Sequence, residues 1–246
     1  MKKDNFDYYY KEEDIHPGFS VDCVIFSFHK RKLQVLLRKF ALEDYWSLLG
    51  GFMYNHEDSE QAAYRILEHH TGTRNMFLRQ FHLFSDPTRT DMEQNKNYIN
   101  RNASSEEEGK WLLRRFITMG YYALVKYDNV KLSAAPDESL KWYDIQKLPH
   151  LQSDHENIIK TALKTIRAML PVIPIGYELL PEKFTMTELR KIYEIIMEKE
   201  FDRRNFQRKI LSEGSVVQLD ETVSGKTYNP PILYSFRAPD MDKELL

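Results

Sequence analysis

The sequence predicts an α+β chain of two domains, residues 1–170 and 171–246. Three observations predict it. The first half is mostly short apolar segments separated by polar turns, with isolated stretches of helical spacing. Pro171-Val172-Ile173-Pro174 then breaks a long helical pattern. Beyond the break, helical periodicities come first and two strand patterns follow.

Composition bounds the rest. Of the 246 residues 42% are hydrophobic, enough for packed cores, so a wholly disordered chain is excluded. Apolar runs are short and broken by charges, so no transmembrane helix fits. Met1–Phe19 holds no apolar stretch of the secretory kind, and a cytoplasmic protein is expected. The single cysteine, Cys23, excludes an intramolecular disulfide and a cysteine metal site. A net charge of −2 argues against a nucleic-acid binder that is basic throughout. It leaves room for a local basic face, and Arg203–Lys209 is the densest basic cluster.

The elements follow in order. Residues 19–28 and 33–38 read as strands joined by the polar turn His29-Lys30-Arg31-Lys32. Trp46–Phe52 is a short strand containing a Gly pair. Ser59–His70 carries Ala62, Ala63, Ile66 and Leu67 at helical spacing, with Asp58 or Ser59 as cap and Thr71-Gly72 as stop. Residues 79–84 form another strand. Residues 85–110, rich in Asn, Asp and Glu, read as a long loop. Strands follow at 116–125 and 140–143, then a helix from Asp154, its cap, to Met169.

The second part opens with a short helix at Ile175–Leu180. Thr185 and Glu188 make a capping box for a helix with the stripe Leu189, Ile192, Tyr193 and Ile196. Asp202 caps a third helix reaching about Ser212. Val216–Glu221 and Leu233–Phe236 are strands, with a turn at Ser224-Gly225-Lys226. Three helices and a hairpin in this order are a winged helix.

Gly51, Glu57, Arg65, Leu67 and Gly72 stand at the spacing of a Nudix box. Trp46-Ser47-Leu48-Leu49-Gly50-Gly51 and Glu60-Gln61-Ala62-Ala63 resemble the flanking sequence. The resemblance implies an N-terminal Nudix-like α/β/α sandwich. In active members, glutamates one turn apart on the helix hold magnesium, which neutralises a diphosphate and orients water. Here those positions are Ile66, His69 and His70. Magnesium prefers hard oxygen ligands, so no metal, no cofactor and no diphosphate hydrolysis are expected. Glu57 and Arg65 fit a structural lock between loop and helix. His69 and His70, being adjacent, are expected on different sides, solvated or capping the helix C-terminus as cations.

A Nudix scaffold without metal still offers a pocket. Asp22 and Arg38 are charged residues in apolar strands, either ligand-binding or edge positions and structural ion pairs. Trp46 is either a stacking platform or core. Arg89 stands where related proteins carry an Asp-Pro-x-Arg-Asp loop near the pocket.

In the basic helix, Phe206 and Ile210 are four apart and anchor it. Arg203, Gln207 and Arg204 then face outward. Arg, Asn205 and Gln207 have the donors and acceptors that read bases, while Arg208 and Lys209 suit phosphates. Lys226 in the wing reaches the backbone or minor groove. The competing reading is a solvated basic face balanced by Glu194, Glu198 and Glu200.

Leu180–Thr185, Leu189–Glu194, Arg203–Lys209 and Asp154–Ile159 together resemble the Nudix-related transcriptional regulators over nearly the whole chain. The resemblance implies a homodimer binding double-stranded operator DNA, with the Nudix domain as sensor of a small effector. The ruined acidic helix favours the branch responsive to L-arabinose, a repressor of sugar utilisation relieved by the sugar. ADP-ribose sensing is the alternative, as is a Nudix hydrolase with an accessory domain.

Overall fold

The computed structural model describes residues 15–72, 77–102, 105–170, 179–223 and 230–237. Its first half is a six-stranded sheet with helices on both faces. The strands are β1 (Ile15–His29), β2 (Lys32–Phe40), β3 (Leu49–Tyr54), β4 (Arg79–Phe84), β5 (Ile117–Val125) and β6 (Glu138–Asp144). Their order is β4-β5-β1-β2-β6, with β3 also on β1. Among the described strands of this sheet, only the β1–β5 pair is parallel. The tight β1–β2 turn is made by Lys30 and Arg31, both at positive φ.

Alternation along β1 builds both cores. Val21, Cys23 and Ile25 pack with helix α1 (Ser59–Thr71) through Ala62, Ala63, Ile66 and Leu67. Val24 and Phe26 pack on the other face with α4 (His155–Met169) through Ile158, Ile159, Ala162 and Ile166. Two stacked apolar faces give the expected α/β/α sandwich. Asp58 caps α1 in a reciprocal box with Gln61, and Gly72 ends it in the left-handed conformation.

The expected loop at 85–110 is mostly helical. Helix α2 runs Met92–Asn102 and α3 runs Glu106–Leu112. The Asp91 carboxylate accepts the N–H groups of Glu93 and Gln94, opening α2. Tyr98 and Ile99 then pack against Trp111, Leu112 and Phe116 in a third core. With so narrow an apolar stripe, the packing partner rather than the periodicity makes the helix.

The second half holds α5 (Met186–Met197), α6 (Arg203–Ser212) and a small sheet. Its strands are β7 (Phe184–Thr185), β8 (Val216–Thr222) and β9 (Ile232–Phe236), in the order β7-β9-β8. Thr185 and Glu188 form the capping box. Leu189, Ile192, Ile196, Phe206, Ile210, Val216 and Tyr234 form its core, which is continuous with the α4 side of the first sheet. Most of the expected helix at Ile175–Leu180, and the turn with Lys226, lie outside the described residues. The expected division at 170/171 adjoins the first of these stretches, 171–178.

Two local expectations are corrected. Asp154 makes no side-chain cap on α4, because Arg89 engages its carboxylate. Trp46 precedes the strand, in an isolated bridge to Leu151.

Candidate functional site

A cavity of about 140 Å³ opens at the end of the first sheet, beneath α2 and α3. Its wall is part aromatic, with Phe40, Tyr45, Phe52, Tyr98 and Phe116. The polar groups converging on it include Ser20, Asp22, Arg38, Arg89 and His155.

Asp22 projects from β1 at the centre of the sheet, not at its edge, and is 6% exposed. Thr118 Oγ1 donates to it at 2.8 Å, and Ser20 Oγ donates to Thr118 at 2.7 Å. Gly50 faces Asp22 so closely that a Cβ there would collide with the carboxylate. The Gly pair is thus explained at its first residue by this approach. Arg89 binds Asp154 through both Nε and Nη2 at 2.9 Å and stands 3.8 Å from Asp22.

His155, the first residue of α4, was not singled out by the sequence. Leu48 N–H donates to its Nδ1 at 2.9 Å, so Nε2 carries the proton of the neutral ring. That Nε2 faces Asp22 Oδ1 at 3.8 Å. Burial lowers the pKa below the ordinary histidine value, against the pull of Asp22. Its sequence signals were a place at a helix start, which is common to ordinary residues, and membership of the Asp154–Ile159 segment that resembles the regulators.

Arg38 is 5% exposed, lines the cavity and lies 3.7 Å from Glu138 on β6. Its guanidinium also covers the Phe40 ring at 4.7 Å. Of the four expected ligand residues, the structure therefore brings Asp22, Arg38 and Arg89 to one cavity. Trp46 is not among its lining residues; it packs edge-on to Tyr143, centroids 4.8 Å apart.

The Nudix helix has kept its lock and lost its carboxylates. Arg65 Nε donates to Glu57 Oε2 at 2.9 Å, and its Nη2 donates to the Phe52 carbonyl at 2.8 Å. Glu57 Oε1 also accepts the Tyr54 N–H, and the Arg65 guanidinium covers the Tyr54 ring. Ile66 is buried in the core against Gly51. These residues do not fit the family's magnesium.

His69 and His70 depart from expectation. Their rings meet edge to face, with centroids 4.8 Å apart. His70 is fully buried, and burial with Arg38 and His69 nearby lowers its pKa to about 2. It is neutral, not a cation serving the helix dipole. Glu138 joins the pair, so a group of possible metal ligands exists where none was expected.

The second site is the surface of α6. Asp202 caps it by accepting the Asn205 N–H at 2.9 Å. Phe206 and Ile210 are buried, leaving Arg203, Arg204, Asn205, Arg208 and Lys209 exposed. Gln207 is half-buried and donates to the Tyr234 hydroxyl at 3.0 Å, so it is tied to β9. Arg208 donates to Asn205 Oδ1 at 2.9 Å. Glu194 takes Arg190 and Lys191, and Glu198 takes Arg167. Neither of these two acids neutralises α6.

Comparison with known proteins fits both halves. Residues 16–163 match the NUDIX domain, and residues 176–236 match the NrtR DNA-binding winged helix domain. The ADPR responsive transcriptional repressor NtrR of Acinetobacter baylyi is 27% identical over 242 residues, 95% of this chain and 88% of that protein. Shewanella oneidensis NrtR complexed with a 27mer DNA has a similar fold, with TM-score 0.66 and 22% identity over 89% of this chain and 93% of that one. A MutT/nudix family protein from Enterococcus faecalis gives TM-score 0.65 at 21% identity, covering 94% and 91%. The chain belongs to the Nudix domain family and joins to that domain an NrtR-type winged helix.

Proposed function

We propose that the protein is an effector-responsive transcriptional repressor, with the Nudix domain as sensor and α6 as the helix that reads DNA. The observation carrying this reading is the exposed basic face of α6 within a winged helix, joined to a polar cavity by one helix. Helix α4 starts at the cavity with His155. Near its other end, Arg167 donates to the Ile196 carbonyl at 2.7 Å and pairs with Glu198 at 2.9 Å. A ligand that favours one arrangement of this continuous core shifts the winged helix by population, and operator affinity with it.

Arg203, Arg204 and Asn205 face base edges, Gln207 being held by Tyr234, while Arg208, Lys209 and Lys226 hold phosphates. A homodimer sets two such helices in successive major grooves of a palindromic operator. With Ile66, His69 and His70 in place of carboxylates, the Nudix domain binds without hydrolysing.

The effector supported by the Acinetobacter relative is an ADP-ribose-type nucleotide. The size of the cavity favours a second reading. At about 140 Å³ it is smaller than the ~300 Å³ at the low end of ordinary ligand pockets. Asp22, the imidazole of His155 and two arginines whose charges Asp154 and Glu138 answer suit the hydroxyls of a free pentose such as L-arabinose, which would make the operator one of sugar utilisation. The test is capture of genomic DNA fragments by the purified protein at one fixed salt, alone, with ADP-ribose and with L-arabinose. A few palindromic sites released by one ligand establish the regulator and choose the effector. No enriched DNA under any condition defeats the reading.

A further inference from the structure

We propose that His69, His70 and Glu138 form a binding site for a divalent transition metal of the zinc class. The site goes beyond the regulator reading and does not rest on it. One ligand atom from each residue lies within 4.8 Å of the other two. His69 and His70 end α1, and Glu138 opens β6, so the two elements close on one point. Backbone bonds fix that closure. Ser133 N–H donates to the His70 carbonyl at 2.9 Å, and Glu138 N–H donates to the Ala135 carbonyl at 3.0 Å. The segment leading from β5 into β6 is thereby held over the end of α1.

The donor set decides the metal. Two imidazoles and a carboxylate are a common zinc set, whereas magnesium demands more oxygens. Bonds of about 2.0–2.2 Å set tetrahedral ligand atoms roughly 3.4 Å apart. His70 Nδ1 and Glu138 Oε2 already stand 3.7 Å apart. The remaining closure is asked chiefly of His69, the half-buried member of the three. A fourth position is left for water.

Other groups facing the site are compatible. Arg38 Nη1 lies 3.7 Å from Glu138 Oε1, while Oε2 is the oxygen nearer the histidines. The carboxylate therefore stands between the two cations, with Arg38 as its outer partner, an arrangement that orients metal-bound carboxylates. The Ala135 N–H also donates to Oε2, at 3.4 Å. Occupancy bears on the effector cavity, because Arg38 lines it.

The test uses the full-length protein, stripped with a chelator and titrated with Co²⁺ and then Zn²⁺ in the absence of DNA and effector. One equivalent of Co²⁺ giving the visible absorption of four-coordinate cobalt, displaced by Zn²⁺, is expected. His69→Ala should abolish the band while leaving the circular dichroism unchanged. His69→Cys should restore binding and add a thiolate charge-transfer band. No visible band at excess Co²⁺ overturns the site. So does a band that survives in His69→Ala, since the metal then sits on other histidines such as His56 or His82. Neither failure touches the operator experiment, which needs no metal.

Discussion

The cavity and the α6 surface use charge in opposite ways. In the cavity each charged group is buried and answered: Arg89 by Asp154, Asp22 by Thr118, Arg38 by Glu138. On α6, Arg203 and Arg204 lie exposed, and Lys209 reaches Glu213 only at 3.9 Å. Buried charges must be paired because desolvation is costly. Exposed cations cost little and are available to a polyanion. The first pattern suits recognition of one small molecule in one orientation. The second suits a phosphate backbone.

Removing one partner should therefore hurt far more in the cavity. Arg89→Ala leaves Asp154 and Asp22 without their cation, and about 3–5 kcal/mol of stability should be lost in denaturant unfolding. Arg89→Ala with Asp154→Ala should recover part of that loss. If the double variant is no more stable than the single one, pairing does not explain the cavity.

Glu57→Gln probes the lock on α1. It weakens the bonds to Arg65 and Tyr54 N–H, and about 1–3 kcal/mol of stability should go, read by thermal unfolding. Because the family's carboxylates are absent, ADP-ribose hydrolysis with magnesium should be at background before and after the change. Turnover that Glu57→Gln abolishes would return the chain to the hydrolases.

On α6 the contrast reverses. Arg203→Ala with Arg204→Ala should leave stability within about 0.5 kcal/mol. Operator affinity should fall, and its logarithmic salt slope should flatten by about 0.9 for each phosphate that is no longer neutralised. Unchanged DNA binding would show that these arginines face elsewhere.

What the sequence reveals follows the same division. Features set by local chemistry are legible: the Thr185–Glu188 box, the buried pair Phe206 and Ile210, the Glu57–Arg65 lock. Groups assembled from distant segments are not. His155 meets Asp22 across most of the first domain, and Glu138 reaches His70 from the far edge strand. No spacing rule connects them. Helix α2 was hidden for a related reason, since its apolar partners Trp111 and Phe116 come later in the chain. Of the two readings of Trp46, stacking platform or core, its packing beside Tyr143 follows the second.

The neutral histidines sharpen the comparison by pH. Burial brings His70 down to about 2 and lowers His155, whereas the unfolded chain keeps both near the ordinary 6.5. Between those values the unfolded state binds protons that the folded state refuses, so acid favours unfolding. Their contribution is complete above pH 6.5 and is lost as pH falls below it, toward the folded values. The denaturation midpoint should begin to drop below pH 6.5, ahead of the carboxylates. His155→Asn should make that early part of the profile shallower, whatever its offset in absolute stability. The α6 variants should leave the shape unchanged, because Arg203 and Arg204 keep their charge in both states. A His155→Asn profile parallel to that of the parent would mean that the folded protein takes up this proton as readily as the unfolded chain, so that the imidazole is a cation in acid. Asp22 would then face a cation, and the hydrogen-bonding character of the cavity would be that of an ion pair.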